Sequence, residues 1–241
     1  MIKIDNISLK YKDFQALDSV TLDFNKSKFS CLIGLSGAGK SSLLRILNLL
    51  VKPTSGNLIT KEYGVLNNKE NISEYRKKTA MIFQNNNLIP RFNILENILL
   101  GKIYKFKTFK SLFSFPKLEK IKAMESLEKV GLLNKSQKRI TEISGGEKQR
   151  VCIARALYQK PRLILADEPI SQLDPVNTNK VLELFKTLTE KNNTKIIMSH
   201  HQPMIGLEFC DKIIGLKKGK ILFKYSGKNL TQKKLNELYV Q

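Results

Sequence analysis

The sequence of 241 residues contains no tryptophan, two histidines and three cysteines. Cys31, Cys152 and Cys210 lie far apart in the chain and show neither a C-x-x-C pair nor the mixed cysteine and histidine spacing of a zinc finger. This usage argues against a structural zinc site and against the disulfide framework of a small secreted protein. We expect the three cysteines to be small core residues.

Long apolar runs are also missing. The richest stretch, LLRILNLLV, is interrupted by Arg45 and Asn48, whereas a membrane-spanning helix needs about 20 consecutive apolar residues. The first stretch, MIKIDNISLKYK, lacks the apolar segment of a signal peptide. We therefore expect a soluble protein that stays in the cytoplasm.

Acidic residues are few. The chain carries 42 lysines and arginines against 21 aspartates and glutamates, a formal net charge of +21. Such a charge favours nucleic acid, anionic lipid or phosphate-bearing ligands. Lysine, asparagine and isoleucine are also what an AT-rich coding sequence produces whatever the function, so the charge alone identifies no partner.

Hydrophobic patterning predicts an α/β fold. The stretches IKIDNISLKY and ALDSVTLDF alternate apolar and polar residues, as antiparallel strands do. Buried parallel strands, covered on both faces, are predicted by the unbroken apolar runs FSCLIG, RLILAD and KIIMSHH. Helical spacing is present in SSLLRILNLL and QRVCIARALYQ. A final strand pair is predicted by DKIIGLKKGKILF.

One region differs from this pattern. Residues from about 92 to 140 combine helical spacing with a basic, aromatic insert. We interpret this region as a helical subdomain placed within an α/β core formed by residues 1–91 and 141–241. The whole chain, 1–241, would then be a single domain, which its length allows.

The stretch GLSGAGKSS matches the phosphate-binding pattern G-x-x-x-x-G-K-[ST] and lies between a predicted strand and a predicted helix. In such a loop the glycines let backbone N–H groups surround phosphates, the lysine reaches the β and γ oxygens, and the first hydroxyl binds Mg²⁺. We predict a nucleotide site formed by Gly34, Ser36, Gly37, Ala38, Gly39, Lys40, Ser41 and Ser42.

A pair of carboxylates ends the predicted strand LILAD. Asp167 and Glu168 stand at its C-terminal end, which is where open parallel sheets bind ligands. Asp167 suits binding of Mg²⁺, directly or through water, and Glu168 suits a base that polarises an attacking water. The alternative is a polar pair that simply ends a strand.

The stretch ISGGEKQR has the spacing of a helix capping box, with Ser144 at the N-cap and Glu147 three residues later. Gly145 and Gly146 occupy the first turn, although glycine costs about 1 kcal/mol relative to alanine within a helix. This cost indicates that another group approaches the backbone closely, and a helix N-terminus favours an anion.

Taken in order, the phosphate loop, ISGGE and the acidic pair resemble the ATP-binding subunit of ABC transporters, whose signature usually reads L-S-G-G-Q. The resemblance covers nearly the whole chain. It implies a P-loop NTPase core with an N-terminal antiparallel β subdomain and an inserted helical subdomain, with ATP and Mg²⁺ as cofactors. It also implies a homodimer in which Ser144, Gly145 and Gly146 of one subunit face the γ-phosphate held by the other.

Two residues depart from that signature: Ile143 replaces leucine, and Glu147 replaces glutamine. A carboxylate near phosphates is unfavourable unless it turns back to cap its helix. The resemblance further implies that Tyr11 stacks on adenine, although an isolated tyrosine is more often a core or surface residue. It also implies that Gln84 contacts Mg²⁺ and water.

Two further positions follow from the resemblance. Asp174, in the stretch SQLD, belongs to the loop that crosses the dimer interface. Only one of His200 and His201 can be the switch histidine that holds the γ-phosphate; the spacing from Glu168 and the Gln202 that follows favour His201, with His200 as its structural neighbour. Most relatives have aspartate after this histidine, where this chain has Gln202.

Several stretches resemble the phosphonate importer branch, among them FQNNNLIPRFNILENILLGK and the insert Ser111–Lys117. This resemblance implies a peripheral ATPase at the cytoplasmic face of the inner membrane. It would energise uptake of phosphonate, phosphite or phosphate through permease subunits and a periplasmic phosphonate-binding protein, without nucleic acid. The insert could instead be a basic, aromatic surface loop that touches lipid.

Two other functions fit the same motifs. One is an ATPase for export or lipoprotein release. The other is a non-transport ABC ATPase acting on ribosomes or DNA, although translation factors of that type usually carry two cassettes and repair proteins carry a coiled coil or zinc-binding insertion.

Overall fold

The computed structural model describes residues 2–105 and 115–226, together with Leu238. Within these residues the chain forms strands and helices in the following order: β1 Ile2–Tyr11, β2 Phe14–Asp23, β3 Phe29–Ile33, α1 Lys40–Leu47, β4 Ser55–Thr60, β5 Gly64–Val65, α2 Lys69–Lys77, β6 Thr79–Ile82, α3 Ile94–Leu99, α4 Lys117–Glu128, α5 Gly145–Tyr158, β7 Leu163–Asp167, α6 Pro175–Lys191, β8 Lys195–His200, α7 Pro203–Phe209, β9 Lys212–Lys217 and β10 Lys220–Ser226. Single turns of 3₁₀ helix span Leu133–Lys135 and Ile140–Glu142, and a longer one spans Leu100–Lys105.

The larger sheet has the strand order β10-β9-β3-β8-β7-β6. Its strands are parallel except for β10, which is antiparallel to β9. Parallel strands bring their C-terminal ends to one edge, so Ile33 pairs with His200 there and Asp167 pairs with Ser199. The predicted parallel core strands are confirmed.

The smaller sheet is antiparallel and has the order β2-β1-β4-β5. Strand β1 pairs with β2 on one side and with β4 on the other. The antiparallel prediction for the first two strands is therefore confirmed, and β4 and β5 extend the same sheet.

Successive residues of the central strands face two different hydrophobic clusters. Cys31 lies in the cluster that includes helices α3 to α7, and its neighbour Leu32 lies in the cluster that includes α1 and the antiparallel sheet. This alternation is the two-residue period of a strand, and it explains why these strands read as unbroken apolar runs. All three cysteines are free and buried, as expected.

Helices α3, α4 and α5 pack against one another. The first two follow β6 in the chain, and α5 leads into β7. Of the insert Ser111–Lys117, residues 111–114 lie outside the described residues, whereas Phe115 is buried and Lys117 begins α4. No helix in 2–105 or 115–226 is long and apolar enough to cross a membrane.

Candidate functional site

The loop between β3 and α1 depends on glycine at three positions, Gly34, Gly37 and Gly39. Gly39 precedes α1 with a φ of +102°, and a Cβ there would lie 2.7 Å from the carbonyl oxygen of Ala16. Gly37 has a φ of +78° and open space around it. The first turn of α1 contains no acidic residue, and no side chain caps it. The helix start therefore presents backbone N–H groups, which suit an anion.

Lys40 is a buried cation within this loop. Its Nζ donates to the carbonyl oxygens of Gly34 at 2.8 Å and Leu35 at 3.0 Å. Burial lowers the pKa of Lys40, whereas the nearby charges of Glu168 and Asp167 raise it. A phosphate oxygen, which accepts charge-assisted hydrogen bonds, is a stronger partner for this ammonium group than a carbonyl.

Asp167 joins the phosphate loop to the neighbouring strand. Its Oδ1 accepts hydrogen bonds from the hydroxyl of Ser41 at 3.0 Å and from that of Ser199 at 2.7 Å. The same Ser199 hydroxyl accepts from the backbone N–H of Glu168 at 3.0 Å. Ser199 was not anticipated from the sequence; the signal available was a polar residue at the end of an apolar strand.

Glu168 has a φ of +49°, in the left-handed region. Its carbonyl oxygen accepts hydrogen bonds from Gln149 Nε2 at 2.8 Å and from the hydroxyl of Ser171 at 3.1 Å. Its side-chain Oε2 accepts from Gln84 Nε2 at 3.3 Å. The backbone of Glu168 is thus held on both sides, and its carboxylate meets the glutamine that the sequence singled out.

Gln149 is the second residue that the sequence reasoning missed. It is 1% exposed, and its Oε1 accepts from the backbone N–H of Gln172 at 2.9 Å. The available signal was a glutamine on the apolar side of α5, where a buried amide must find hydrogen-bond partners. Both ends of this amide bind the loop that follows Asp167.

The start of α5 is the predicted capping box. Ser144 Oγ accepts from the N–H of Glu147 at 3.2 Å, and Glu147 Oε2 accepts from the N–H of Ser144 at 3.0 Å. The other oxygen of Glu147 is bound by Lys135 Nζ. The hydrogen bond from Lys135, followed by the one from Ser144, lowers the pKa of Glu147. The acid of this motif is therefore turned back and paired.

The two glycines of the motif lie against the loop at Gln172. A Cβ on Gly145 would be 3.1 Å from Gln172 Oε1, and a Cβ on Gly146 would be 3.0 Å from the Gln172 carbonyl oxygen. Both distances are too short for most side chains to fit without a shift. The sequence predicted that another group lies close to these glycines. Gln172 of the same chain is one such group.

The two histidines have different surroundings. His200 is 3% exposed, and burial lowers its pKa to about 4. Its Nδ1 accepts from the backbone N–H of His201 at 2.9 Å, which leaves the proton of the neutral ring on Nε2. His201 is exposed at the same sheet edge.

Residues 17–171 match the family model described as ABC transporter. This chain belongs to the ABC transporter family. The phosphonates import ATP-binding protein PhnC 3 of Nostoc sp. is 40% identical over 240 residues, covering 99% of this chain and 92% of that protein. PhnC of Lactococcus lactis subsp. lactis is 41% identical over 243 residues, covering 99% and 98%. The phosphite import ATP-binding protein PxtA of Stutzerimonas stutzeri is 40% identical over 240 residues, covering 99% and 87%.

Solved structures give the same family. The dimeric, post-hydrolysis state of the ATP-binding cassette MJ0796 bound to ADP and Pi has a TM-score of 0.86 and 31% identity, covering 95% of this chain and 100% of that one. A nucleotide-free cassette from an ABC transporter has a TM-score of 0.80 and 25% identity, covering 99% and 94%. The predicted ABC ATPase fold is confirmed.

Two positions that the ABC resemblance implied take no part in the hydrogen bonds that hold Lys40, Ser41, Asp167, Glu168 and Gln84. Tyr11 ends β1 and is 41% exposed. Asp174 is the N-cap of α6, where its Oδ1 accepts from the N–H of Asn177 at 3.0 Å. Hydrogen bonds from Asn177 lower the pKa of Asp174.

The donor set of this ABC site fits Mg²⁺. Ser41, Asp167 and Gln84 offer a hydroxyl, a carboxylate and an amide oxygen, which are hard ligands, and Mg²⁺ is commonly held by one or two carboxylates together with substrate phosphates. The parts of the chain described in the structure hold no group of three or more His, Cys, Asp or Glu placed to bind a metal alone. The site therefore fits a magnesium ion that arrives with a nucleotide.

Proposed function

We propose that this chain is the ATP-hydrolysing subunit of an importer for phosphonate or a related oxyanion, phosphite or phosphate. The observation that carries the ATPase assignment is the convergence of Lys40, Ser41, Asp167, Glu168 and Gln84 at one sheet edge. The oxyanion class is supported by the relatives named for phosphonate and phosphite import.

Phosphate binding falls to the loop before α1. The N–H groups at the start of this helix and the ammonium group of Lys40 hold the phosphates, and residues Gly34, Ser36, Gly37, Ala38, Gly39, Ser41 and Ser42 complete the cradle. Phosphate oxygens replace the two carbonyl oxygens that Lys40 now binds. Tyr11 would stack on the adenine ring.

Glu168 is the base in this proposal. Its carboxylate accepts a proton from the attacking water, while Gln84, 3.3 Å away, helps to orient that water. His201 would hold the γ-phosphate. Ser41, Asp167 and Gln84 would hold Mg²⁺, which neutralises negative charge on the phosphate oxygens when bound.

Dimerisation completes each site. The capping box at Ser144, with Gly145 and Gly146, faces the γ-phosphate bound by the other copy, and the loop at Asp174 crosses between the copies. Because Lys135 pairs with Glu147, the carboxylate of the signature is compensated before a phosphate approaches. Closure and reopening of the two copies would drive the permease between inward and outward access.

The chain would work as a peripheral subunit at the cytoplasmic face of the inner membrane. Its partners are a second copy, permease subunits and, indirectly, a periplasmic phosphonate-binding protein; no nucleic acid is involved. Residues 92–140 would form the helical subdomain that faces the permease, and residues 1–91 and 141–241 the core.

The substrate is tested on the periplasmic binding protein encoded beside this gene. Calorimetry with methylphosphonate, 2-aminoethylphosphonate, phosphite and phosphate should give tight binding of one, with sulfate as the control. Binding of none of them, or the absence of such a neighbouring gene, would contradict the oxyanion assignment. That outcome would favour the exporter or non-transport functions and leave the ATPase itself standing.

A further inference from the structure

Helix α5 connects two parts of the proposed machinery. Its N-cap, Ser144, belongs to the signature, and Gln149 lies five residues further along the chain. Gln149 donates to the carbonyl oxygen of Glu168 at 2.8 Å and accepts from the N–H of Gln172 at 2.9 Å. A single buried side chain thus fixes both ends of the loop 168–172 to the signature helix.

The same loop also contacts the first turn of α5. Gly145 and Gly146 leave only enough room for Gln172, whose Oε1 and carbonyl oxygen lie 3.1 and 3.0 Å from the positions of their missing Cβ atoms. A closely packed interior transmits displacements rather than absorbing them. The start of α5 and the loop 168–172 must therefore move together.

Glu168, at the start of this loop, is sensitive to such a movement. Its φ of +49° is unfavourable for a residue with a side chain and persists only where the surroundings enforce it. Ser199 holds its N–H at 3.0 Å, while Gln149 and the hydroxyl of Ser171 hold its carbonyl oxygen. Only Gln149 among these three belongs to the signature helix.

We infer that Gln149 is a positioning residue that ties the signature end of α5 to Glu168. The inference rests on the proposed function, in which the signature of a subunit faces one nucleotide and its Glu168 acts on the other. Docking of the signature on the partner's nucleotide then fixes the carboxylate in its own site. The two sites become coupled through this amide.

The test compares Gln149→Met, which keeps the volume but removes both hydrogen bonds, with Gln149→Glu, which keeps only the acceptor. Both are measured in the full chain assembled with the permease encoded beside it. We expect kcat to fall at least about ten-fold for the methionine variant, while KM for ATP changes less than about two-fold. The matched control is Tyr75→Phe on α2. It removes a buried hydrogen bond of 2.7 Å to the carbonyl oxygen of Leu47 on α1, away from helix α5, and should keep kcat.

A double variant separates positioning from general damage. Because Gln149 acts through Glu168, adding Gln149→Met to Glu168→Gln should lower the residual rate no further, whereas structural damage would add to it. The inference is overturned if Gln149→Met keeps kcat within about two-fold of wild type, or if the two losses multiply. If Glu168→Gln alone hydrolyses ATP at the wild-type rate, the proposed function fails instead.

Discussion

The hydroxyl of Ser41 donates a hydrogen bond of 3.0 Å to Oδ1 of Asp167, although the two residues are 126 positions apart in the sequence. Ser41 lies in the first turn of α1, which packs on β7, and Asp167 is the last residue of that strand. The parallel sheet therefore brings the hydroxyl of one motif and the carboxylate of the other into direct contact. In the proposed ATPase, this pair would take part in holding the magnesium ion.

Lys40→Ala should lose affinity for ATP. The ammonium group is buried and interacts electrostatically with Asp167 and Glu168, so its removal leaves their negative charges uncompensated by this cation when the ATP phosphates bind. We expect the Kd for ATP to rise at least about ten-fold, which corresponds to about 1.4 kcal/mol. Fluorescent nucleotide titration measures it, and Lys180→Ala, an exposed lysine on α6, should leave the Kd unchanged. An unaltered Kd in Lys40→Ala would remove this lysine from the phosphate site.

Ser144→Arg should block hydrolysis but spare ATP binding to the isolated subunit, because the nucleotide that meets this serine is held by the partner. The substitution also removes the cap of α5, and loss of such a cap costs about 1 kcal/mol of stability. Ser144→Ala, which loses the cap without adding bulk, is the control for that cost. A large loss of ATP binding in the isolated arginine variant would place Ser144 in its own subunit's site.

Glu147→Gln should be tolerated, whereas Lys135→Met should reduce hydrolysis. Without Lys135, the negative charge of Glu147 is uncompensated and repels an incoming phosphate. In Glu147→Gln the side-chain amide is neutral, so this repulsion is absent. The double variant should therefore recover most of the activity of Glu147→Gln alone, as steady-state ATP hydrolysis would reveal. A large gain from Glu147→Gln by itself would instead mean that this acid limits the wild-type rate.

Acidification should expose the pairing of Glu147. Its pKa is lowered in the folded chain from 4.5 by Lys135 and then by Ser144, so its stabilising contribution is complete above pH 4.5 and is lost as the pH falls through the lower value. The side chain of Lys135 is 33% exposed, so the effect is modest. Urea unfolding should therefore show a constant difference in stability between the wild type and Glu147→Gln above pH 4.5, and this difference should shrink as the pH falls below 4.5.

A separate pH dependence is expected from His200. Burial lowers its pKa from 6.5 to about 4, so between these values the unfolded chain binds a proton that the folded chain does not. Stability is complete above pH 6.5 and falls towards pH 4 by on the order of 3 kcal/mol. His200→Leu should flatten this decline in chemical unfolding experiments, and His201→Ala should retain it. An equally steep decline in His200→Leu would assign it to other groups.

Prediction from the sequence succeeded best for short stretches in which chemistry or periodicity requires particular residues. The phosphate loop, the acidic pair and the capping box at Ser144 each need particular residues at fixed spacing, and the structure forms all of these elements. Strands such as β4 and helices such as α2 were not anticipated, because SGNLIT and KENISEYRK have weak apolar patterns and gain stability from packing on β1 and β6.

Contacts between distant segments could not be predicted where no motif or family resemblance pointed to them. Ser199 and Gln149 hold Glu168 from two different elements, and neither belongs to a motif with its own spacing. The signature glycines suggested a phosphate, but only the fold places Gln172 beside them. Such relationships arise from tertiary packing rather than from local sequence.

The most direct test of the account is the behaviour of Glu168→Gln. Light scattering on the purified full chain with ATP and magnesium should reveal a stable dimer, while hydrolysis in the assembled transporter falls at least about a hundred-fold, within the range expected for loss of a general base. Glu183→Gln, an exposed acid on α6, should behave as wild type. A Glu168→Gln chain that turns over ATP normally, or stays monomeric while binding ATP, would contradict an ATPase that closes its two sites between two copies.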